Sequence, residues 1–153
     1  MSAAHDEELV EALRHTVRRF MSIVDHLPTF VADLALLGSE DPDWRENTKS
    51  HGADELCLAH DRLVEMMAEA KRLTDGDGNA EKLQAMARRF IGFVNGMPPR
   101  HAVDALLDAE KPEWRDGTWD QAMDAEVNEG YRMLSRLMTE AYRLTEGADA
   151  FSE

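Results

Sequence analysis

The sequence predicts an all-α fold, a pseudo-two-fold helical bundle of four long and two short helices, and three observations support this prediction. Residues 18–48 recur as residues 88–118 without a gap, and 14 of the 31 aligned positions are identical, whereas average residue usage would give about two. Later in each repeat, Met67–Gly76 recurs as Met138–Gly147, and here the alignment of the two repeats is shifted by one residue. Apolar residues recur at helical spacing along both repeats, and no segment alternates with the period of a strand.

Each repeat is expected to form a long helix, a short helix and a long helix, at about 6–76 and 79–147, with a linker at about 75–79. A unit of this size has one apolar face, which it must bury against its neighbour. We therefore expect residues 1–153 to form a single domain, since a hydrophobic content of 43% is sufficient for one core.

The first long helix is expected at about Asp6 to His26. Acidic residues near its start and Arg18 and Arg19 in its later turns suit the helix macrodipole, and Pro28 ends it. Its inward stripe consists of Leu9, Leu13, Val17, Phe20, Met21, Val24 and Leu27.

The remainder of the first repeat contains a short helix and a second long helix. Thr29 is expected to cap a short helix at Phe30 to Leu37, and Gly38 to end it. The long helix is expected at about Ala53 to Leu73 and is closed by Gly76. Its inward face consists of Leu56, His60, Leu63, Met66, Met67 and Ala70.

The second repeat is expected to follow the same plan. Asn79 caps its first long helix, and Pro98 with Pro99 ends that helix. A short helix is expected at about His101 to Ala109, and the last long helix at about Trp119 to Leu144. The inward residues of the two long helices are Leu83, Met86, Phe90, Val94 and Met97, and then Val127, Tyr131, Leu134, Leu137, Met138 and Ala141.

The net charge of −14 restricts the classes of partner. The phosphates of nucleic acids and of anionic lipids would repel this chain, so we expect no direct binding to nucleic acid or membrane. No apolar run approaches the roughly 20 residues that cross a bilayer, and the opening MSAAHDEELVEALR lacks a signal sequence, which favours the cytoplasm. Three explanations of the acidity remain open: solubility or adaptation to high salt, attraction to a basic protein, and imitation of DNA.

Candidate metal ligands are present, but they lack the spacing that a metal site requires. The six histidines do not form Glu-x-x-His, His-x-x-x-His or His-Glu-x-x-His patterns with suitable partners. The segment Asp75–Asn79 resembles the start of an EF-hand calcium loop, but Ala80 replaces the required glycine and Met86 the bidentate glutamate. We expect no metal, no cofactor and a simple turn capped by Asn79, with weak calcium binding left open.

Cys57 and His60 are both expected to lie in the core. A single cysteine cannot form an internal disulfide and does not fit the usual zinc patterns. Because Cys57 lies in the segment ELCLAH, we expect it to be a small buried residue. His60 is expected to be buried and hydrogen-bonded, like Tyr131, its counterpart in the second repeat.

A Pro-x-Trp-Arg element occurs at the same place in both repeats. Trp44 with Arg45, and Trp114 with Arg115, suit a twinned site in which an indole and a guanidinium hold an anionic or planar ligand. Alternatively, each tryptophan plugs the end of the bundle and each arginine reaches a nearby carboxylate. No nucleophile or base accompanies either element, which favours the structural interpretation.

The differences between the repeats suggest a contact surface. Phe30 and Leu34 of the first repeat are replaced by Arg100 and Asp104 in the second. Residues four apart share a helix face, so the first repeat exposes an apolar patch if the two repeats pack alike; if they pack differently, both groups are buried. Trp119, beside the one-residue insertion, is a second candidate anchor for a partner.

Together these patterns favour a non-enzymatic protein that binds another protein, as an adaptor, an inhibitor or a self-associating subunit. The expected partner has a basic surface, and a homodimer is an alternative. A second hypothesis is a DNA mimic that inhibits a nucleic-acid-binding protein. A third is a metal- or nucleotide-handling helical-bundle enzyme, although the sequence has no glycine-rich phosphate loop and no Gly-x-Ser-x-Gly motif.

Overall fold

The structure, a computed structural model, describes residues 3–40, 52–116 and 121–151, with side chains at 7–40, 57–76, 78–114 and 125–145. It confirms an all-α helical bundle: these residues form six α-helices and no strand. The helices are α1 (Ala3–His26), α2 (Thr29–Glu40), α3 (Gly52–Arg72), α4 (Ala80–Asn95), α5 (Pro99–Glu110) and α6 (Gln121–Phe151). None of the six has the length and hydropathy that crossing a bilayer requires.

The centre of the bundle is the contact between α1 and α4, the first long helices of the two repeats. α1 also packs against α5, α4 against α2, and α3 and α6 each lie on the short helix of their own repeat. Phe20 of α1 stacks on Phe90 of α4, with ring centroids 5.5 Å apart and an angle of 2° between the rings. Both residues are fully buried, so the inward stripes predicted for these two helices do face each other.

Two arginines at corresponding positions join the repeats. The guanidinium of Arg19 donates two hydrogen bonds of 2.7 Å to the carboxylate of Glu110. Arg89 donates to the carboxylate of Glu40 at 2.8 and 3.1 Å. The two arginines are 70 residues apart in the sequence, and so are the two glutamates. Each pair therefore joins a long helix of one repeat to the last residue of the short helix in the other.

A second pair of corresponding arginines holds the last long helix of each repeat. Arg18 donates to the carbonyl oxygen of Thr74 at 2.7 Å, and Arg88 donates to the carbonyl oxygen of Thr145 at 2.8 Å. The hydroxyls of both threonines donate to the carbonyl four residues earlier, at 2.9 and 3.0 Å. Because Thr74 lies just beyond α3, Arg18 supplies a donor to a carbonyl that the helix end leaves without an intrahelical partner.

The helix cap predicted between the repeats is present. Asn79 precedes α4, and its side-chain oxygen accepts a hydrogen bond from the backbone N–H of Lys82 at 2.9 Å, which confirms the predicted helix cap. A π-helical turn at Leu73–Asp77 ends α3, and Gly76 within it has a φ of 133°, a value that residues with a β-carbon rarely adopt. Pro99 is the first residue of α5, where its missing N–H leaves no hydrogen bond unmade.

Gly38 does not end α2, contrary to the prediction. The helix continues to Glu40, and Gly38 lies against α4, where a β-carbon would be 3.5 Å from the carbonyl oxygen of Gly96. A β-carbon on Gly96 would be only 2.7 Å from the carbonyl oxygen of Ala35. Gly96 therefore allows the end of α4 to approach α2 closely, whereas 3.5 Å is an ordinary contact distance that a β-carbon at Gly38 would tolerate.

Candidate docking face

Residues of α2 and α3 line a depression on the surface of the first repeat. Thr29 and Asp33 of α2 and Cys57, His60 and Asp61 of α3 line an open depression with a volume of about 310 Å³. Nδ1 of His60 lies 3.2 Å from Oδ1 of Asp33. Asp33 is buried, whereas the side chain of His60 is about half exposed, so Asp33 is the deeper member of the pair.

Large apolar side chains are exposed beside this depression. Phe30, which follows Thr29, is 63% exposed, and Val64, about one helical turn beyond His60, is 55% exposed. Leu58 is also exposed, but helical geometry turns it about 120° away from Val64. We use the name α2–α3 face for the surface formed by Phe30, Asp33, Cys57, His60 and Val64.

The two residues predicted from the difference between the repeats have different exposure. Phe30 is exposed, whereas Leu34 is partly buried. At the corresponding positions of α5, Arg100 donates to the carboxylate of Asp104 at 2.8 Å. The short helix of the second repeat therefore presents an ion pair where that of the first repeat presents a phenyl ring.

The second repeat has the opposite polarity at four of the five positions of the α2–α3 face; at the fifth, His60 corresponds to Tyr131, which is itself exposed. Asp33 corresponds to Val103, which is fully buried. Three exposed residues of the first repeat correspond to exposed polar residues in the second, in the pairs Phe30/Arg100, Cys57/Asn128 and Val64/Ser135. Apolar residues inside and polar residues outside are the ordinary arrangement of a surface helix, so the first repeat is the exception.

Cys57 and His60 are not in the core, and the prediction for both was wrong. Cys57 is exposed, and Tyr131, the counterpart of His60, is also exposed. The inward position of α3 at this level is Ala59, which is buried like its counterpart Gly130, where a β-carbon would lie 2.7 Å from a side chain of α5. Small residues allow close helix packing here, and a search for large apolar residues overlooks them.

The exposure of Cys57 predicts rapid thiol chemistry in the folded protein. We expect Cys57 to react completely with Ellman's reagent without denaturant, at a rate of the same order as in urea-unfolded protein. The absorbance of the released thiolate measures the reaction, and Cys57→Ser provides the blank. A thiol that reacts only after unfolding would show that α3 turns Cys57 inward.

Of the tryptophans and arginines in the two Pro-x-Trp-Arg elements, Trp114 is the one whose side chain the structure describes. Trp114 lies in the short 3-10 turn Pro112–Asp116 after α5 and is 3% exposed. Its indole Nε1 donates to the carboxylate of Asp108 at 2.7 Å. The side chain of Arg115, and Trp44, Arg45 and Trp119, lie outside the described residues. The indole of Trp114 is therefore part of the packing and does not form an open ligand-binding wall.

A second, more polar cleft lies between the end of α1 and α5. Its volume is about 400 Å³, and it is lined by Asp25, His26, Leu27, Pro28, His101, Asp104, Ala105 and Asp108. At the corresponding place in the other half, Gly96 replaces His26 and α4 lies directly against α2. No group of three histidine, cysteine, aspartate or glutamate side chains in the described part of the chain is arranged to hold a metal ion.

Ion pairs compensate many carboxylates on the helices. A hydrogen bond from Arg132 lowers the pKa of Glu129, and one from Arg143 lowers the pKa of Glu140. By contrast, the segment 41–56, which leads from α2 into α3, has five acidic and two basic residues. The six helices together contain 22 acidic and 13 basic residues, and the residues outside them contain nine acidic and four basic residues. The excess negative charge is therefore spread over the helices as well as the segments between them.

Comparisons with known proteins do not indicate a function. The chain was compared with protein-family models, with curated proteins and with solved structures, and nothing matches. The residues and geometry of the α2–α3 face are therefore the basis of the functional conclusion.

Proposed function

We propose that this chain is a protein-binding scaffold that docks a partner protein on the α2–α3 face. The observation that carries the proposal is the reversed polarity of this face relative to the second repeat. Single exposed apolar residues are common on protein surfaces. Phe30 and Val64, however, lie within one helical turn of Asp33 and His60, which line the depression, and the fold tolerates Arg100 and Ser135 at the same positions. Exposed apolar residues that the fold does not require are typical of contact surfaces.

We also propose that a pseudo-two-fold axis relates the repeats and passes near the stacked rings of Phe20 and Phe90. The reciprocal ion pairs, of Arg19 with Glu110 and of Arg89 with Glu40, support this arrangement, because a two-fold axis brings residue i of one unit to residue j of the other and the reverse. Under this proposal the second repeat indicates which residues the scaffold needs, and the departures of the first repeat mark the functional surface.

The partner that suits this face is a protein with an apolar anchor and a basic rim. The chain carries a net charge of −14, and Asp33 and Asp61 line the depression itself. Exposed charges act over about 10 Å at 0.1 M salt, which is sufficient to steer a basic protein toward the depression. We place this interaction in the cytoplasm.

A DNA mimic is the less favoured alternative. It requires a row of uncompensated carboxylates that occupy the sites of phosphates, whereas Glu40, Glu110, Glu129 and Glu140 each accept hydrogen bonds from arginine. An enzyme is also less favoured, because two carboxylates of the polar cleft, Asp104 and Asp108, are already hydrogen-bonded to Arg100 and to the indole of Trp114.

The proposal is tested by placing the same charge on corresponding positions of the two repeats. Partners are purified with the native chain from its host at low and high salt, and the affinity of each purified partner is then measured. We expect Phe30→Asp and Val64→Asp to weaken binding by about 30-fold or more, as at an interface hot spot. Ser135→Asp, the counterpart of Val64→Asp, is expected to change affinity by about twofold at most.

Circular dichroism and thermal unfolding establish that each variant is folded. If Phe30→Asp is folded and leaves both the partners and the oligomeric state unchanged, the proposal is wrong. If light scattering shows a dimer that Phe30→Asp converts to a monomer, the bound protein is a second molecule of this chain and the docking face is confirmed in its homodimeric form.

A further inference from the structure

Among the residues of the α2–α3 face, Asp33 is the one whose identity the packing of the helices explains least. It is buried at a position that the second repeat fills with the apolar Val103. Burial of a carboxylate is costly unless the group is paired and hydrogen-bonded. Among the described residues, His60 provides the hydrogen bond to Asp33, at one carboxylate oxygen. The remaining acceptor sites of this carboxylate are suited to an incoming donor.

The depression above Asp33 is suited to a cationic head group. Its other lining residues are Thr29, Cys57 and Asp61, in addition to His60, and neither lysine nor arginine is among the described residues that line it. The two aspartates make the site electrostatically complementary to a cation. A guanidinium presents several N–H donors in one plane and binds carboxylates through paired hydrogen bonds. The depression is open to solvent and has a volume of about 310 Å³.

The rim of the depression is suited to the rest of an arginine side chain. Phe30 and Val64 are exposed apolar residues beside the opening. A guanidinium stacks favourably on an aromatic ring, and the methylene groups of arginine cover apolar surface while the charged end reaches a polar group. An apolar side chain next to the arginine in the partner would complete the contact.

We propose that the depression between α2 and α3 binds an arginine side chain of the partner protein, with Asp33 as its counter-ion. Asp61 lies at the same depression, and Phe30 and Val64 contact the apolar stem of the arginine and its neighbouring residue. This inference rests on the proposed docking function and specifies the chemistry of the anchor. The basic rim of the partner then has one defined residue at its centre.

The experiment is an NMR titration of the full-length, 15N-labelled protein with N-acetyl-argininamide, and with N-acetyl-glutaminamide as the neutral control. We expect saturable shifts at Thr29–Asp33 and Cys57–Val64 with the arginine probe alone. Asp33→Asn preserves the shape of the side chain and is expected to weaken binding of the arginine probe by about tenfold or more. The loss of a hydrogen bond to a charged group has an effect of this size on affinity. Asp104→Asn makes the same chemical change at an aspartate outside the depression, and this control is expected to retain binding.

A second measurement keeps the test decisive if Asp33→Asn fails to fold. Because Cys57 is the single cysteine of the chain, N-ethylmaleimide alkylates the depression alone, and we expect the alkylated wild-type protein to lose the arginine-specific shifts. Equal shifts with both probes, or full binding to the alkylated protein, would overturn the inference while the docking face is still tested by Phe30→Asp. Conversely, if the arginine probe depends on Asp33 but Phe30→Asp retains every partner, the arginine site stands and the proposed docking function is wrong.

Discussion

Phe20→Ala is expected to lower the free energy of unfolding by about 3–5 kcal/mol, and Phe90→Ala by a similar amount. Both side chains are fully buried, and their rings stack with centroids 5.5 Å apart. Truncation of either ring removes buried apolar area and leaves a cavity where α1 meets α4. The helices close such a cavity only in part, because the interior is close-packed and relaxes incompletely around a deleted side chain.

Urea unfolding followed by circular dichroism measures this effect. Because the rings contact each other directly, the double variant should show a coupling of about 0.5–1.5 kcal/mol. Phe30→Ala is the matched control, since Phe30 is 63% exposed, and we expect a change of about 0.5 kcal/mol or less. If Phe20→Ala were as mild as Phe30→Ala, the two repeats would not share a core at this contact.

The helical architecture is predictable from the sequence because its signals are redundant. Leu13, Val17 and Phe20 recur at helical spacing, and Leu83 and Phe90 repeat the pattern in the second half; all five are fully buried. Local chemistry supplied the turn between the repeats, since Asn79 has both the side chain and the position of a helix cap. Because the same pattern occurs in both halves, each half supports the helix prediction made for the other. A pattern that occurs once has no such support.

The prediction of which α3 residues face the core was less successful, because hydrophobicity and burial are different quantities. His60 and Cys57 were placed inward, yet the buried residue at this level is Ala59. A small side chain contributes little to a hydrophobic pattern, but it determines how closely two helices approach. The corresponding Gly130 is the signal that identifies this position, since both repeats place a small residue there.

The candidate site was predictable only in part. The replacement of Phe30 by Arg100 indicates a difference in surface chemistry, and the exposure of Phe30 agrees with it. The pairing of Asp33 with His60 joins residues 27 positions apart, and no periodic pattern along the chain contains that contact. Net charge was also a poor guide to the location of the site, because both the helices and the segments between them carry an excess of acidic residues.

The interpretation of Trp114 as a packing residue leads to a second large expected effect. Trp114→Ala should lower the free energy of unfolding by about 3–5 kcal/mol, because the indole is 3% exposed and its loss leaves a cavity beside α5. Trp114→Phe should cost about 1.5–3 kcal/mol, since it keeps an aromatic ring but removes the N–H that donates to the carboxylate of Asp108 at 2.7 Å. Thermal and urea unfolding measure both changes.

The Asp108→Asn background separates the two contributions of the indole. In that background the charge-assisted part of the hydrogen bond is already lost, so Trp114→Phe should cost less than in the wild-type chain. The cavity left by Trp114→Ala should remain nearly as costly, because it depends on volume and not on charge. If Trp114→Ala instead changes stability by about 0.5 kcal/mol or less, the indole is not a packing residue, and a ligand-binding role for the Pro-x-Trp-Arg element becomes the better explanation.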